Sequence, residues 1–413
     1  MNDTSLLQKK TDSTPEEFAR FVRSLGSISY WEKGNFFIVT EMALAEEVLR
    51  NPAYTADRSS FFISRMPNMD LSLIKDFFGV ISQMMVMSDD EKHSNRRQVA
   101  NMGISDELSN HFRPNVKRIV GELLDGLDTT FDFVSDVAAP LPSRVLAELF
   151  CIPESERVSF YRWSNHMTQF FGGASQYLNE DGIAVNTSAV AIRDYFAKLI
   201  LDRKDSPQLD FLSRILPHQA RLKLSDAEMV SQAVMMLVAG QITTTDQLCN
   251  NLFQLLPFWE SLQSKRQLLP TAIEECNRLD PAVTFLFRVV RSATVLGGQP
   301  LKQGDVVFVS AHAVNRDPRI FSEPDRFQVD RAHNPHMAYG YGPHFCLGAR
   351  LARIQMLECF GQLLDRFPLL QLAGNPLRKH HSLAFSGFEL IPLVKGTSLP
   401  RKQELTAASF VST

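Results

Sequence analysis

The chain has 413 residues, 44% of them hydrophobic, and a formal net charge of −3. That is enough apolar material for a large core, and too little positive charge to expect nucleic acid as a partner. The five cysteines, at 151, 249, 276, 346 and 359, are odd in number and scattered, which excludes a disulfide framework. Length alone suggests two or three domains, but no Pro/Gly/Ser-rich linker divides the chain, so residues 1–413 read as one unit with loose ends at 1–14 and 396–413. The first ten residues lack the apolar run of a signal or anchor, and no later stretch reaches about 18 uncharged apolar residues. A cytoplasmic location and no membrane anchor are expected.

In chain order, Ile28–Trp31, a Lys33-Gly34-Asn35 turn and Phe36–Val39 predict a hairpin over 27–40. From about residue 115 to 255 the apolar residues recur at three- and four-residue spacing, a helical pattern. Ser225-Asp226-Ala227-Glu228 forms a capping box that opens a long apolar helix through Leu256. Roughly 30 residues at 1.5 Å each span about 45 Å, the width of a domain. Residues 284–310 return to strand character, with turns at Gly297-Gly298 and Gln303-Gly304-Asp305. Leu347, Leu351, Ile354, Leu357, Phe360 and Leu364 then predict an amphipathic helix, and the tail from Lys395 is polar. The fold class is mainly α with a small β region.

The segment Tyr339-Gly340-Tyr341-Gly342-Pro343-His344-Phe345-Cys346-Leu347-Gly348 carries the most chemistry. Three glycines bracket one cysteine just ahead of an apolar helix, as where backbone must turn tightly beside a bulky group. A thiolate that ligates iron needs such a water-poor loop, with backbone N–H groups aimed at the sulfur. The segment resembles the heme-binding loop of the cytochrome P450 family, Phe-Gly-x-Gly-x-x-x-Cys-x-Gly. Tyr339 stands where the family has Phe and brings a hydroxyl that needs a partner.

The resemblance runs from about residue 15 to 395. It implies heme b held between the long central (distal) helix and the proximal Cys346 loop and helix. Glu275-Cys276-Asn277-Arg278 fits the family's Glu-x-x-Arg, a structural ion pair for which Arg331 is the candidate third partner. His93-Ser94-Asn95-Arg96-Arg97 fits its His-x-x-x-Arg, and with Arg288 and His344 these are the implied contacts of the two heme propionates. Tyr339, Gly340 and Gly348 complete the expected cofactor loop. In the long helix, Ala239-Gly240-Gln241-Ile242-Thr243-Thr244 matches the oxygen-side motif, where relatives' helices bulge and small residues leave room for dioxygen. Thr243 holds the threonine position, but Ile242 replaces the acid that relays protons. Three routes stay open: a water chain through Thr243 and Thr244, aided by Gln241 or Asp246; a proton-donating substrate; or chemistry without efficient O–O scission.

The substrate side is aromatic. Phe61, Phe62, Phe77, Phe78, Met84, Met85 and Met87 precede His93, and Met167, Phe170 and Phe171 precede a Gly172-Gly173 hinge in the implied lid. Phe78, Met85, Phe170, Phe285 and Phe385 are the candidate pocket residues. The implied activity is monooxygenation of a small, partly apolar substrate from O2, in secondary-metabolite biosynthesis, by a monomer. Electrons would come from a separate ferredoxin or flavodoxin docking on Lys92, Arg96, Arg350 and Arg353, and the substrate would arrive free or tethered to a carrier protein. Rival readings are a peroxide-driven enzyme, which would carry an Arg near Thr243, a non-hydroxylating catalyst of coupling, rearrangement or desaturation, and a heme sensor or electron carrier.

Overall fold

A computed structural model describes residues 4–173, 179–380 and 382–396. The capping box forms as the sequence predicts. Ser225 Oγ accepts from the Glu228 N–H, the Glu228 carboxylate accepts from the Ser225 N–H, and the helix runs from Asp226 to Leu255. It is buried along most of its length because other helices pack around it, namely Pro140–Leu149, Arg157–Gly173, Asn179–Asp205, Leu269–Leu279 and Ala349–Arg366. A helix surrounded in this way needs apolar residues on nearly every face, which explains the weak amphipathicity of its sequence. None of the helices among the described residues is long and apolar enough to cross a membrane.

The β region lies to one side. Ile28–Trp31 pairs antiparallel with Phe36–Val39, and Asn35 takes the positive φ of 52° that the turn demands. Phe36–Val39 pairs parallel with Val306–Ser310, which pairs antiparallel with Phe285–Val290. Tyr54–Thr55 completes the five-stranded sheet beside Val289 and Val290. That last pairing carries the chain from residue 54 onward up to Arg288.

Three apolar clusters make the core: a large one around the long helix, one between the sheet and Met42–Arg50, and one between the sheet and Pro15–Ser24. Within the expected loose end 1–14, the described residues begin at Thr4. Thr4–Thr11 is helical, Leu6 is fully buried, and Lys10 Nζ donates to the Ser382 carbonyl at 2.7 Å. Thr14 then caps Pro15–Ser24 with a second capping box. A segment that buries an apolar side chain and docks a cation on backbone carbonyls has reason to be ordered. At the other end, residues 397–413 lie outside the described residues.

Candidate active site

The cysteine loop is fixed by its own backbone. The Cys346 N–H donates to the Tyr339 carbonyl at 2.8 Å, Phe345 to Gly342 at 3.0 Å and Gly340 to Met337 at 2.9 Å. Gly340 and Gly342 sit at φ +74° and +70°, and a Cβ on Gly342 would lie 2.8 Å from Arg50 Cγ. Those two positions require glycine. Gly348, at φ −85° ahead of the helix Ala349–Arg366, is not held to glycine by its backbone conformation. The N–H groups of Gly348 and Ala349 reach the Cys346 thiol. Cys346 is exposed on the open side of the loop, yet the protein around it desolvates the thiol and raises it, while the two N–H groups and the charges of Arg353 and Arg97 act in the opposite sense. The Tyr339 hydroxyl has its partner in Asn277 Nδ2, 3.3 Å away, and Arg353 lies 4.2 Å over the Tyr339 ring. Asn277 belongs to the Glu275–Arg278 helix, so the ligand loop and the ion-pair helix are joined directly.

A cleft of about 830 Å³ opens beside this loop, lined by His93, Arg97, Arg288 and His344 among others. The His93 and His344 rings lie 3.9 Å apart. Arg58, which the sequence reading missed, joins them from the segment after Tyr54–Thr55 and lies 5.1 Å over the Phe287 ring. Burial and the Arg288 charge push Arg58 down to about 9, and burial pushes Arg288 down to about 10. His344 is driven down to about 2 by burial and then by Arg288, His93, Arg58 and Arg97. Asp89, a nearby carboxylate, is engaged by Arg291 and by the Ala56 N–H. His93 Nε2 and Arg58 Nε are buried without partners. Among the described residues no carboxylate is hydrogen-bonded to Arg58, Arg97 or Arg288, and two heme propionates fit that place. No local pattern marks Arg58; only its strand's pairing with Val289 and Val290 brings it to Arg288.

On the other side, the helix Asp226–Leu255 passes through Ala239–Thr244 without the expected bulge. Ala239 is exposed, Gly240, Ile242 and Thr243 are partly so, and Gln241 and Thr244 turn into the protein. Thr243 Oγ1 donates to the Ala239 carbonyl at 2.6 Å, so its remaining capacity is to accept. A Cβ on Gly240 would meet Leu146 at 3.3 Å, which makes Gly240 a packing residue against Pro140–Leu149. The Gln241 amide is buried with neither atom bonded.

The aromatic residues divide. Phe77 and Phe170 pack at 4.4 Å, Phe78 and Phe170 at 6.2 Å, and Phe61 and Phe287 at 4.9 Å. Phe78 is half-buried, while Phe170 and Met85 are buried, and the Met85 N–H donates to Gln232 Oε1 at 3.0 Å. Phe285 belongs elsewhere: it packs on Phe18 and Phe308 in the sheet core, at the end of the strand face that it shares with Phe287. Phe385 is partly buried in a turn whose N–H donates to Ser382 Oγ at 3.1 Å. Arg157–Gly173 remains helical through the expected hinge, and residues 174–178 lie outside the described residues. The basic docking face also needs correction. Arg96 is buried and holds Glu228 at 2.9 Å, and Arg353 holds Glu274 at 2.8 Å. Lys92 and Arg350 remain exposed.

Comparison with known proteins agrees with this arrangement. The profile of the family described as Cytochrome P450 matches residues 257–388. The chain is 32% identical to the "Biotin biosynthesis cytochrome P450" of Bacillus subtilis (strain 168), over 77% of this chain and 82% of that protein. It is 31% identical to a "Steroid C26-monooxygenase" of Mycobacterium tuberculosis (strain CDC 1551), over 77% of this chain and 87% of that protein. A crystal structure of P450BioI in complex with hexadec-9Z-enoic acid ligated acyl carrier protein superposes with a TM-score of 0.85 at 27% identity, covering 93% of this chain and 99% of that one. A cysteine loop and a cation cluster facing a long helix, on a fold and sequence shared with these proteins, lead to one conclusion. The chain belongs to the cytochrome P450 family and is a bacterial-type monooxygenase that uses heme b.

Proposed function

We propose that this enzyme ligates heme iron through Cys346 and inserts one oxygen atom from O2 into a small, at least partly apolar substrate in a biosynthetic pathway. The observation that carries the substrate class is the aromatic group Phe61, Phe62, Phe77, Phe78, Phe170, Phe171 and Phe287, with ring centroids 4.4–6.2 Å apart. Phe61, Phe78, Phe171 and Phe287 keep part of their surface exposed, so they offer apolar area that a ligand can cover. The heme supplies oxygen activation when bound. The chain's own residues do the rest: Cys346 holds the iron, and Arg58, His93, Arg97, Arg288 and His344 hold the propionates. Thr243 offers its oxygen as an acceptor for a water on the distal side.

Electrons come from a separate ferredoxin or flavodoxin, which the exposed Lys92 and Arg350 favour as docking cations. The buried free thiols Cys249, Cys276 and Cys359 favour a reducing, cytoplasmic setting. The solved neighbour with an acyl-loaded carrier protein supports a carrier-tethered substrate as one form of delivery. The working unit is a monomer.

The test is a ligand screen on heme-loaded protein with free fatty acids, their carrier-protein thioesters and steroids, followed by turnover under labelled O2 with a surrogate ferredoxin and reductase. A high-spin shift and one labelled oxygen in the product are expected for an apolar ligand. Product without label would instead support the second reading, a coupling or rearranging catalyst, which the apolar Ile242 in the acid position favours.

A further inference from the structure

Asp246 lies in the long helix, three residues beyond Thr243 and four beyond Ile242, on the flank those two share. It is fully buried, and Lys379 Nζ donates to its Oδ1 at 2.7 Å. Among the described residues its Oδ2 is buried with no hydrogen-bond partner. Lys379 keeps 32% of its side chain exposed, so the pair runs from solvent into the helix. Gly387 makes the approach possible, because a Cβ there would stand 2.3 Å from Asp246 Oδ1. Burial raises the Asp246 carboxyl, opposed by Lys379, and the Asp246 charge raises Lys379 against its own burial. The other charged or titratable groups facing the pair are Lys10 and Asp280 beside Asp246, and Cys249 and Tyr161 beside Lys379. Asp280 is itself bound by Arg378 and His312, and Lys10 donates to backbone carbonyls.

A Lys379–Asp246 contact that only pinned the Gly387 turn to the helix would have both carboxyl oxygens bonded. A bare buried oxygen costs about 1–3 kcal/mol unless a water reaches it. The free oxygen is the feature that a purely structural pair leaves without a reason.

We propose that Asp246 and Lys379 form the proton inlet of the distal site, in place of the acid that Ile242 displaces. The proposal rests on the monooxygenase activity and not on the identity of the substrate. The Asp246 carboxylic acid gives its proton to a water anchored on the free lone pairs of Thr243 Oγ1. The Lys379 ammonium returns a proton to the carboxylate and takes one from solvent. Only O–H and N–H bonds form and break, each proton used on the distal side is replaced from bulk water, and the pair ends in its starting charge state.

Lys379→Arg separates relay from structure: arginine keeps the positive charge and a donor for Asp246 Oδ1 but does not release a proton, its pKa lying above about 12. Heme-loaded Lys379→Arg should keep the wild-type thermal midpoint and carbon monoxide spectrum. Its ratio of product to reductant consumed should fall about tenfold, with a larger solvent isotope effect and a shifted pH profile. Infrared difference spectra of the resting protein, titrated from acid to neutral pH, should show a protonated carboxyl band that disappears in Asp246→Asn. Wild-type coupling and pH profile in Lys379→Arg and Asp246→Asn would overturn the proposal, and so would a missing carboxyl band in wild type. If the wild type made no labelled product from any ligand, the monooxygenase reading would fail, and the infrared titration would still decide whether Asp246 holds a proton.

Discussion

The Thr243 hydroxyl donates a hydrogen bond to the Ala239 carbonyl at 2.6 Å and keeps only acceptor capacity. Thr243→Ala would remove the group that anchors a distal water while leaving the helix intact, since the lost bond is a local back-bond. Product formed per reductant consumed should therefore fall about tenfold or more, with peroxide released in its place; an unchanged ratio would remove Thr243 from the chemistry. Ile242→Glu puts an acid back beside it, on a partly exposed position where water can solvate the charge, and should raise the ratio if proton supply limits the wild type. Cys346→Ala should abolish the red-shifted band that reduced protein gives with carbon monoxide, whereas Ser at Cys151, Cys249, Cys276 or Cys359 should keep it. Retention of the band in Cys346→Ala would refute the ligand assignment. Cys346 was legible because its requirements are local: two positive-φ glycines and a helix start lie within ten residues. Arg58 was not, because its role comes from the distant pairing of the strand before it, Thr55 with Val289 and Tyr54 with Val290.

At the scale of elements, the helix Leu269–Leu279 holds the proximal side together. Arg278 grips Glu275 with two bonds of 2.8 and 2.7 Å, and Arg331 adds two of 3.0 Å from the far segment. Both Arg278 and Glu275 have no exposed surface, and Arg278 also donates to the carbonyls of Asn315 and Pro324. Arg278→Ala would leave a buried carboxylate short of a partner and two carbonyls without donors. The expected loss is about 3–5 kcal/mol, read as a heme-poor, aggregating product and an early midpoint in urea unfolding. A well-folded, heme-loaded variant would show that Arg331 alone compensates Glu275. The Glu275–Arg278 spacing was readable because residues three apart share a helix face. Arg96 was misread by the same kind of reasoning: four residues from Lys92, it looks like a surface cation, yet its partner Glu228 is the capping residue of the long helix, 132 positions on. Local spacing predicts which residues share a face, and only packing decides which face is buried.

Across the whole molecule, His312 sits where distant pieces meet. Its Nε2 lies 3.1 Å from Asp280 Oδ1 at the end of the Leu269–Leu279 helix, and its ring packs 6.3 Å from Phe18 of the helix Pro15–Ser24. Arg378 and Ser386, from the C-terminal turns, hold the same Asp280 carboxylate. Burial lowers His312 to about 4 from 6.5, with Asp280 acting against the shift, so the folded protein keeps this imidazole neutral where the unfolded chain would protonate it. The stability contributed by His312 is therefore fully present above pH 6.5 and is lost as pH falls toward 4, an effect on the order of 3 kcal/mol by linkage. Glu274 acts in a lower window. Although burial opposes it, pairing with Arg353 and His336 lowers its carboxyl to about 2 from 4.5, so its contribution is lost only as pH falls from 4.5 toward 2. His312→Gln keeps an N–H donor for Asp280 and removes the titration. Melting temperatures of heme-loaded wild type and His312→Gln should therefore converge as pH drops from 6.5 to 4, the wild type losing several degrees more than the variant over that interval, while below it both should fall together as Glu274 protonates. Parallel acid limbs from neutral pH downward would mean that His312 is charged in the fold, and that the joint between the two ends of the chain is an ion pair rather than a neutral imidazole on the Asp280 carboxylate.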